Sequence, residues 1–317
     1  MDATKISRRK LLKAAGLAAA LPAAHRSGIM MAKTTSAPIG LQLYTVGKEM
    51  DADPFGTLKR VAAVGYQTVE LSPMAKVPLA DLKKGLDDVG LTNPSGHYLL
   101  QDLMSKLDQN IEAAKQLGQQ YMIVTVPWVA DPSRFPKNPD PMAFFLSVLQ
   151  GLTLDDWKWN AEQFNKVGEQ VKKAGLQLGY HNHNFEFKSY GATTGYDEFL
   201  RLTDPALVKL ELDCGWMTVA GKDPVAYLTK YPDRYRLLHI KDFKKGFAPT
   251  TVLMSKGPNA PVPTELGRGA IDYRKILQTA KARQIEFLFV EQEPPFTEMP
   301  ALEAIKVDYD YLKNLQA

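Results

Sequence analysis

The stretch Gly179-Tyr180-His181-Asn182-His183-Asn184-Phe185-Glu186-Phe187 carries two of the chain's five histidines, two residues apart, directly after the apolar run 176–178. Side chains at i and i+2 of a β-strand point to the same face. A strand over 177–183 therefore sends His181 and His183 out of one side, with Glu186 just past its end. Three downstream segments share this build: apolar residues, then an ionisable group, then a loop. They are Val208-Lys209-Leu210-Glu211-Leu212-Asp213, Arg236-Leu237-Leu238-His239 and Phe287-Leu288-Phe289-Val290-Glu291. Four strand ends carrying His, Asp, His and Glu have the donor types of a metal site.

Outward from that stretch the chain repeats one rhythm, a short apolar run, a loop and an amphipathic segment. Residues 39–46 read as strand one, and Asp53-Pro54 opens a helix to about residue 63. Strand two, 67–71, carries Glu70; a helix over 79–89 is capped by Gly90. Strand three, 91–98, holds His97, and a helix over 103–117 leads to strand four, 121–126, followed by Pro127-Trp128. The segment 130–151 holds four prolines and reads as a long loop with about one helical turn. Loops of that length in compact domains are functional or mobile. Helices are then expected over 154–174, 196–202, 224–230, 271–283 and 300–315. They alternate with the His181 strand and with strands 208–213, 236–240 and 286–291. Eight strands alternating with eight helices over 38–317 predict a single (β/α)8 TIM barrel. No Gly-x-Gly-x-x-Gly follows strand one, which weighs against a doubly wound open sheet.

The 317 residues, 45% of them hydrophobic, suffice for a large core, and the lone Cys214 excludes an internal disulfide. No internal run approaches the roughly 18–20 apolar residues of a membrane span. Ser7-Arg8-Arg9-Lys10-Leu11-Leu12-Lys13, followed by the apolar run 14–24, is similar to a twin-arginine export signal. Residues 1–37 are accordingly expected to be signal and linker, and the protein to be periplasmic or exported. They hold seven of the chain's 39 Lys/Arg and one of its 35 Asp/Glu, so 38–317 carry 32 against 34, near −2. That charge gives no support to a nucleic-acid partner.

In such barrels the C-terminal strand ends and the loops after them build the active site. His181, Asp213, His239 and Glu291 end four consecutive strands, and neighbouring strands lie about 4.8 Å apart. All four can converge on one ion. Two imidazoles and two carboxylates suit Mn, Zn, Co or Fe better than calcium, which prefers oxygen donors. Taken singly, each has a plainer reading: Asp213 before Cys214-Gly215-Trp216 as a turn residue, Glu291 as a solvated loop acid. Their recurrence at four equivalent positions favours the metal.

Tyr180-His181-Asn182-His183-Asn184-Phe185-Glu186-Phe187, Glu211-Leu212-Asp213-Cys214-Gly215-Trp216, His239-Ile240-Lys241-Asp242 and the segment from Glu265 to Tyr273 resemble the xylose-isomerase-like TIM-barrel family. The resemblance covers 38–317 and implies a sugar or sugar-phosphate isomerase or epimerase. It implies one divalent ion on a Glu, Asp, His, Glu set. Asp213, His239 and Glu291 match the last three, and His181 stands where the family commonly has Glu, with His183, expected on the same face, as the alternative ligand. The implied reaction removes a proton beside a carbonyl through a metal-stabilised enediolate. With His181 on the ion, the candidates for moving that proton are Glu291, His183, Glu186 and Lys241. His97, Trp128, Glu186 and Lys241 are placed around the sugar, with Trp128 for stacking on a ring face. Lys241-Asp242 has the competing reading of a surface ion pair, and Gly267-Arg268-Gly269 that of a rim loop or an ordinary turn.

The Tyr-His-Asn-His variant also resembles enzymes that eliminate from or hydrate 3-keto-glycosides, which gives a keto-sugar lyase as the alternative. A metal-dependent abasic-site endonuclease is opposed by the charge balance. A non-catalytic sugar-binding protein would keep Trp128 and His97 and need no converging ligands. The expected partner is a small carbohydrate, not a nucleic acid or, once the signal is removed, a membrane; nothing opposes an oligomer.

Overall fold

In the computed structural model, residues 37–72, 77–137 and 139–316 are described. The expected leader over 1–37 falls outside them, save for Ala37. Eight parallel strands close a barrel: β1 Ile39–Gln42, β2 Thr68–Leu71, β3 Thr92–Tyr98, β4 Tyr121–Val124, β5 Gln177–His181, β6 Val208–Asp213, β7 Tyr235–Ile240 and β8 Phe287–Val290. Each strand pairs with its sequence neighbours, and β8 pairs with β1. The helices expected from the apolar rhythm lie between them. These are α1 Pro54–Val64, α2 Leu79–Asp88, α3 Leu107–Leu117, α4 Leu154–Lys173, α5 Gly195–Leu202, α6 Pro224–Lys230, α7 Tyr273–Lys281 and α8 Ala301–Gln316. Among the described residues no helix is long and apolar enough to cross a membrane.

Local chemistry sets the helix ends. Asp53 accepts from the Gly56 N–H ahead of Pro54, and α4 opens on a capping box of Thr153 and Asp156. The 130–151 segment departs from its expected loop: Pro141–Gln150 is a ten-residue helix. Asp140 caps it through Met142 and Ala143, the same Asp-Pro opening as at α1. Strand one is shorter than expected, because Leu43–Val46 turns into a 3-10 helix. The helix expected over 103–117 is divided at Lys106, with Leu100–Ser105 a separate piece.

Tyr121 and Ile123 of β4 cluster with Leu237 of β7 and Phe289 of β8, apart from the larger apolar core. β4 is not adjacent to β7 or β8, so this cluster fills the inside of the barrel. Gly40 and Gly179 make room for it. A Cβ on Gly40 would lie 2.5 Å from the Phe289 ring, and one on Gly179 2.4 Å from Ile123 Cδ1. Two residues further along the same strand faces come Gln42, His181, His239 and Glu291. The functional side chains therefore form the next layer above an apolar plug.

The loop after β7 is fastened at its far end. Asp242 accepts the backbone N–H groups of Gly269, Ala270 and Ile271 at 3.0–3.1 Å, and Asp308 of α8 accepts that of Leu266 at 2.7 Å. Gly267-Arg268-Gly269 is thus a braced rim loop, with Arg268 paired to Glu265. Burial pushes the Asp308 carboxyl up to about 8. The folded state then keeps a proton that the unfolded chain releases near pH 4, so stability falls as pH rises from about 4 to about 8. Asp308→Asn, which cannot ionise, is expected to flatten that part of a Tm-against-pH curve. Gly179→Val is expected to cost about 1–3 kcal/mol by overpacking the plug, read as a lower urea midpoint at unchanged m.

Candidate metal centre

β5 ends at His181, so His183 lies in the loop beyond it and does not share its strand face. The other polar members of the stretch hold the neighbourhood together. Asn182 exchanges two bonds with the backbone of Asp213, giving Nδ2 to its carbonyl at 3.3 Å and taking its N–H at 3.1 Å. This fastens the end of β5 to the end of β6. Asn184 donates to the carbonyls of Thr250 and Val252 at 3.0 and 3.2 Å, holding the long loop after β7. Glu186 is fully buried and accepts from the Tyr180 hydroxyl and the His183 N–H, both at 2.8 Å. Its carboxylate shapes the loop. His183 keeps Nδ1 3.7 Å from Glu186, with its ring 4.9 Å from that of His181 and 6.2 Å from that of Trp216.

His181, Asp213, His239 and Glu291 do converge, with one donor atom from each within 4.8 Å of the others. His181 Nε2 lies 3.6 Å from Asp213 Oδ2, and His239 Nδ1 lies 3.1 Å from Glu291 Oε2. Asp213 also caps the short helix Cys214–Val219 through the Trp216 N–H at 2.6 Å, so it is a turn residue as well. Glu291 is buried rather than solvated.

A second group, His97, His181, Glu211 and His239, meets the same test one layer deeper. Glu211 Oε2 lies 2.9 Å from His181 Nδ1, 3.2 Å from His239 Nε2 and 3.2 Å from His97 Nε2. Glu70 Oε2 lies 2.6 Å from His239 Nε2 and 2.8 Å from His97 Nε2, and takes a bond from Gln42 Nε2 at 2.8 Å. Ser95 donates to the other Glu70 oxygen. Imidazole and carboxylate donors this close, several of them fully buried, fit a divalent transition metal.

Lys241 stands among the upper carboxylates. Its Nζ is 2.5 Å from Glu291 Oε2, 2.6 Å from Glu293 Oε1 and 3.0 Å from Asp213 Oδ2. Trp216 Nε1 donates to the same Glu293 oxygen, and the ammonium sits 5.5 Å from the Trp216 ring. Lys241 and Asp242 are both buried, so the reading as a surface ion pair fails: each residue has its own partners. Trp128 is half-buried, held by its backbone to Asn160, and stacked on Phe145 at 6.4 Å.

The charges are strongly coupled. Burial works against the Lys241 ammonium, but Asp213, Glu291 and Glu293 outweigh it and raise its pKa. Burial likewise opposes protonation of His97, yet Glu70 and Glu211 lift it to about 9. Burial and the neighbouring Glu70 hold Glu211 up to about 7. His239 and Lys241 outweigh burial at Glu291 and keep it ionised, while burial among other imidazoles keeps His181 neutral. Sequence reasoning singled out neither Glu211 nor Glu293 and gave Glu70 no role. Glu211 had a usable signal, standing two residues before Asp213 on the same strand face.

A family model of the xylose isomerase-like TIM barrel matches residues 58–315. Over 161 residues the chain is 32% identical to the inosose dehydratase of Clostridium perfringens, a match covering 49% of this chain and 54% of that one. The chain spans about half the length of the curated relatives it matches. Among solved structures, a sugar phosphate isomerase/epimerase from Parabacteroides distasonis has a TM-score of 0.68 at 25% identity, over 88% of this chain and 98% of that chain. A second one from that organism has a TM-score of 0.65 at 27% identity, over 89% and 95%.

Asn184→Ala removes both ties to the loop after β7. It is expected to lower the local opening free energy there by about 1–3 kcal/mol. The readout is faster hydrogen exchange over residues 248–254, with β1 to β8 unchanged.

Proposed function

We propose, on the premise that the chain belongs to the xylose isomerase-like TIM-barrel family, that it is a keto-sugar lyase assisted by a divalent ion. The reaction removes the proton next to a carbonyl and expels the oxygen substituent on the following carbon. The observation that carries this reading is the Lys241 ammonium, 2.5 Å from Glu291 and buried between it, Asp213 and Glu293. Elimination needs a base for the carbon-bound proton and an acid for the departing oxygen. Glu291, kept ionised by its cationic neighbours, suits the first role, and Lys241 the second. The proton goes from carbon to Glu291 Oε2, the C–O bond breaks, and the leaving oxygen takes a proton from Lys241 Nζ.

His181 and His239, common to both donor groups, would hold the ion together with carboxylates, and Asp213 and Glu291 complete the family-like set. When bound, the ion supplies a positive charge that polarises the substrate carbonyl. His183, whose ring lies beside those of His181 and Trp216, would bond a sugar hydroxyl, and Trp128 and His97 would line the same end of the barrel. The inosose dehydratases, whose name describes loss of water from an inosose, support elimination. The Arg8-Arg9 start supports an exported enzyme.

A second reading, isomerase or epimerase, shares the first proton transfer and returns the proton elsewhere. It is favoured by the names of the two Parabacteroides structures. Here His183 would serve as the second base. Incubating the zinc- or manganese-loaded protein with a 3-keto-glycoside in D2O separates the two. A conjugated enone, seen by its ultraviolet absorbance, together with the released alcohol or sugar supports the lyase. Recovered substrate or its epimer carrying deuterium, with no enone, replaces it by the epimerase. Glu291→Gln and Lys241→Met are each expected to lower kcat about 10²- to 10⁴-fold.

A further inference from the structure

His181 and His239 each stand between two carboxylates. His181 turns Nε2 to Asp213 and Nδ1 to Glu211, and His239 turns Nδ1 to Glu291 and Nε2 to Glu70. We propose that Glu211 and Glu70 are positioning residues for the metal ligands. They hold the two rings so that His181 offers Nε2 and His239 offers Nδ1 to an ion at the mouth of the barrel, beside Asp213 and Glu291. The inference rests on the metal-dependent reading above and adds to it the residues that fix its ligands.

Strand register builds the arrangement. Glu211 of β6 is the Cα partner of His181 on β5, and Asp213 of β6 is that of His239 on β7. One strand thus sets a carboxylate level with each ring. Glu70 reaches His239 from across the barrel, and its own neighbours aim it. Gln42 of β1 and Ser95 of β3 are its Cα partners on either side. Gln42 Nε2 donates to Glu70 Oε2 at 2.8 Å, and Ser95 donates to Oε1. Gln42 Oε1 is itself taken by the Ser72 hydroxyl at 2.7 Å and the Tyr44 N–H at 3.1 Å, which leaves Nε2 to face Glu70. Held this way, Glu70 Oε2 lies 2.6 Å from His239 Nε2.

Glu211 is committed to the rings. Among the described residues its hydrogen-bond and ion-pair partners are imidazoles alone: Oε2 meets nitrogens of His181, His239 and His97 at 2.9–3.2 Å, and Oε1 is buried with no hydrogen-bond partner. Burying a carboxylate is costly, and orienting imidazoles is what this one does in return. His97 Nε2, 2.8 Å from Glu70 Oε2 and 3.2 Å from Glu211 Oε2, ties the two carboxylates to each other. A ring N–H given to a carboxylate fixes which nitrogen is left for a metal and makes that nitrogen more basic.

The test uses the full-length chain with isotope-labelled histidine, stripped with a chelator and reloaded with zinc. Competition with a chromophoric chelator gives affinity, and long-range proton–nitrogen correlation spectra show which nitrogen of each ring binds the metal. The wild-type chain is expected to use His181 Nε2 and His239 Nδ1, keeping hydrogens on His181 Nδ1 and His239 Nε2. Glu211→Gln and Glu70→Gln are each expected to weaken zinc binding about 10- to 100-fold. In the loaded variants the His181 Nδ1 hydrogen moves upfield in Glu211→Gln, and the His239 Nε2 hydrogen does so in Glu70→Gln. Three results overturn the proposal and leave the metal-dependent lyase standing. They are binding through the opposite nitrogens, weakening of less than about tenfold in either variant, or weakening with neither hydrogen moved, the mark of lost charge alone. A wild-type chain that binds no zinc overturns both. If circular dichroism shows either variant unfolded, the nitrogens used by the wild-type chain decide alone.

Discussion

Inside a closed barrel, a carboxylate cannot be left without a cation. Glu70, Glu211, Asp213 and Glu291 are all buried in the layer above the apolar plug. Stranding one of these charges costs several kcal/mol. The counter-charges come from His97, His239 and Lys241, carried by β3, by β7 and by the residue just after β7. The mouth of the barrel is therefore one electrostatic unit, and the position of each group depends on strands far from its own. Pairing His239 with Glu70 links residues 169 apart in sequence across the barrel.

The apolar plug makes that layer rigid. Phe289 and Ile123 lean into the space left by Gly40 and Gly179, and the strand pleat then delivers Gln42, His181, His239 and Glu291 at the next level. Packing below and charge pairing above act on the same strands. Loops complete the brace: Asn182 ties β5 to β6, Asn184 holds the loop after β7, and Asp242 with Asp308 clamps its return. A site held this firmly suits a reaction in which a base and an acid must face one substrate at fixed separation.

The imidazole of His181, at the end of β5, faces two carboxylates at once. An imidazole has two nitrogens on opposite sides of its ring, so it can face Asp213 with one and Glu211 with the other. His239 does the same between Glu291 and Glu70. Among the described residues the two rings thereby belong to two groups of possible metal donors. Lys241, paired with Asp213 and Glu291, is the chain's own cation beside the upper group.

The sequence by itself determined the barrel, because the period of apolar runs and the Asp-Pro and Gly punctuation are local signals. The same period placed His181, Asp213, His239 and Glu291 at equivalent strand ends. Even the missed helix Pro141–Gln150 had its signal in Asp140-Pro141, obscured by three nearby prolines. The end of β5 at His181 was less legible, since the polar residues that follow hold loops through contacts with the distant residues Asp213 and Thr250. Only the tertiary structure decided that Glu186 turns away to Tyr180, that Lys241 enters the cluster, and that Glu70 and His97 meet His239. Alternation along a strand is written into neighbouring residues, whereas the closing of a barrel brings together side chains whose sequence separation carries no periodic trace.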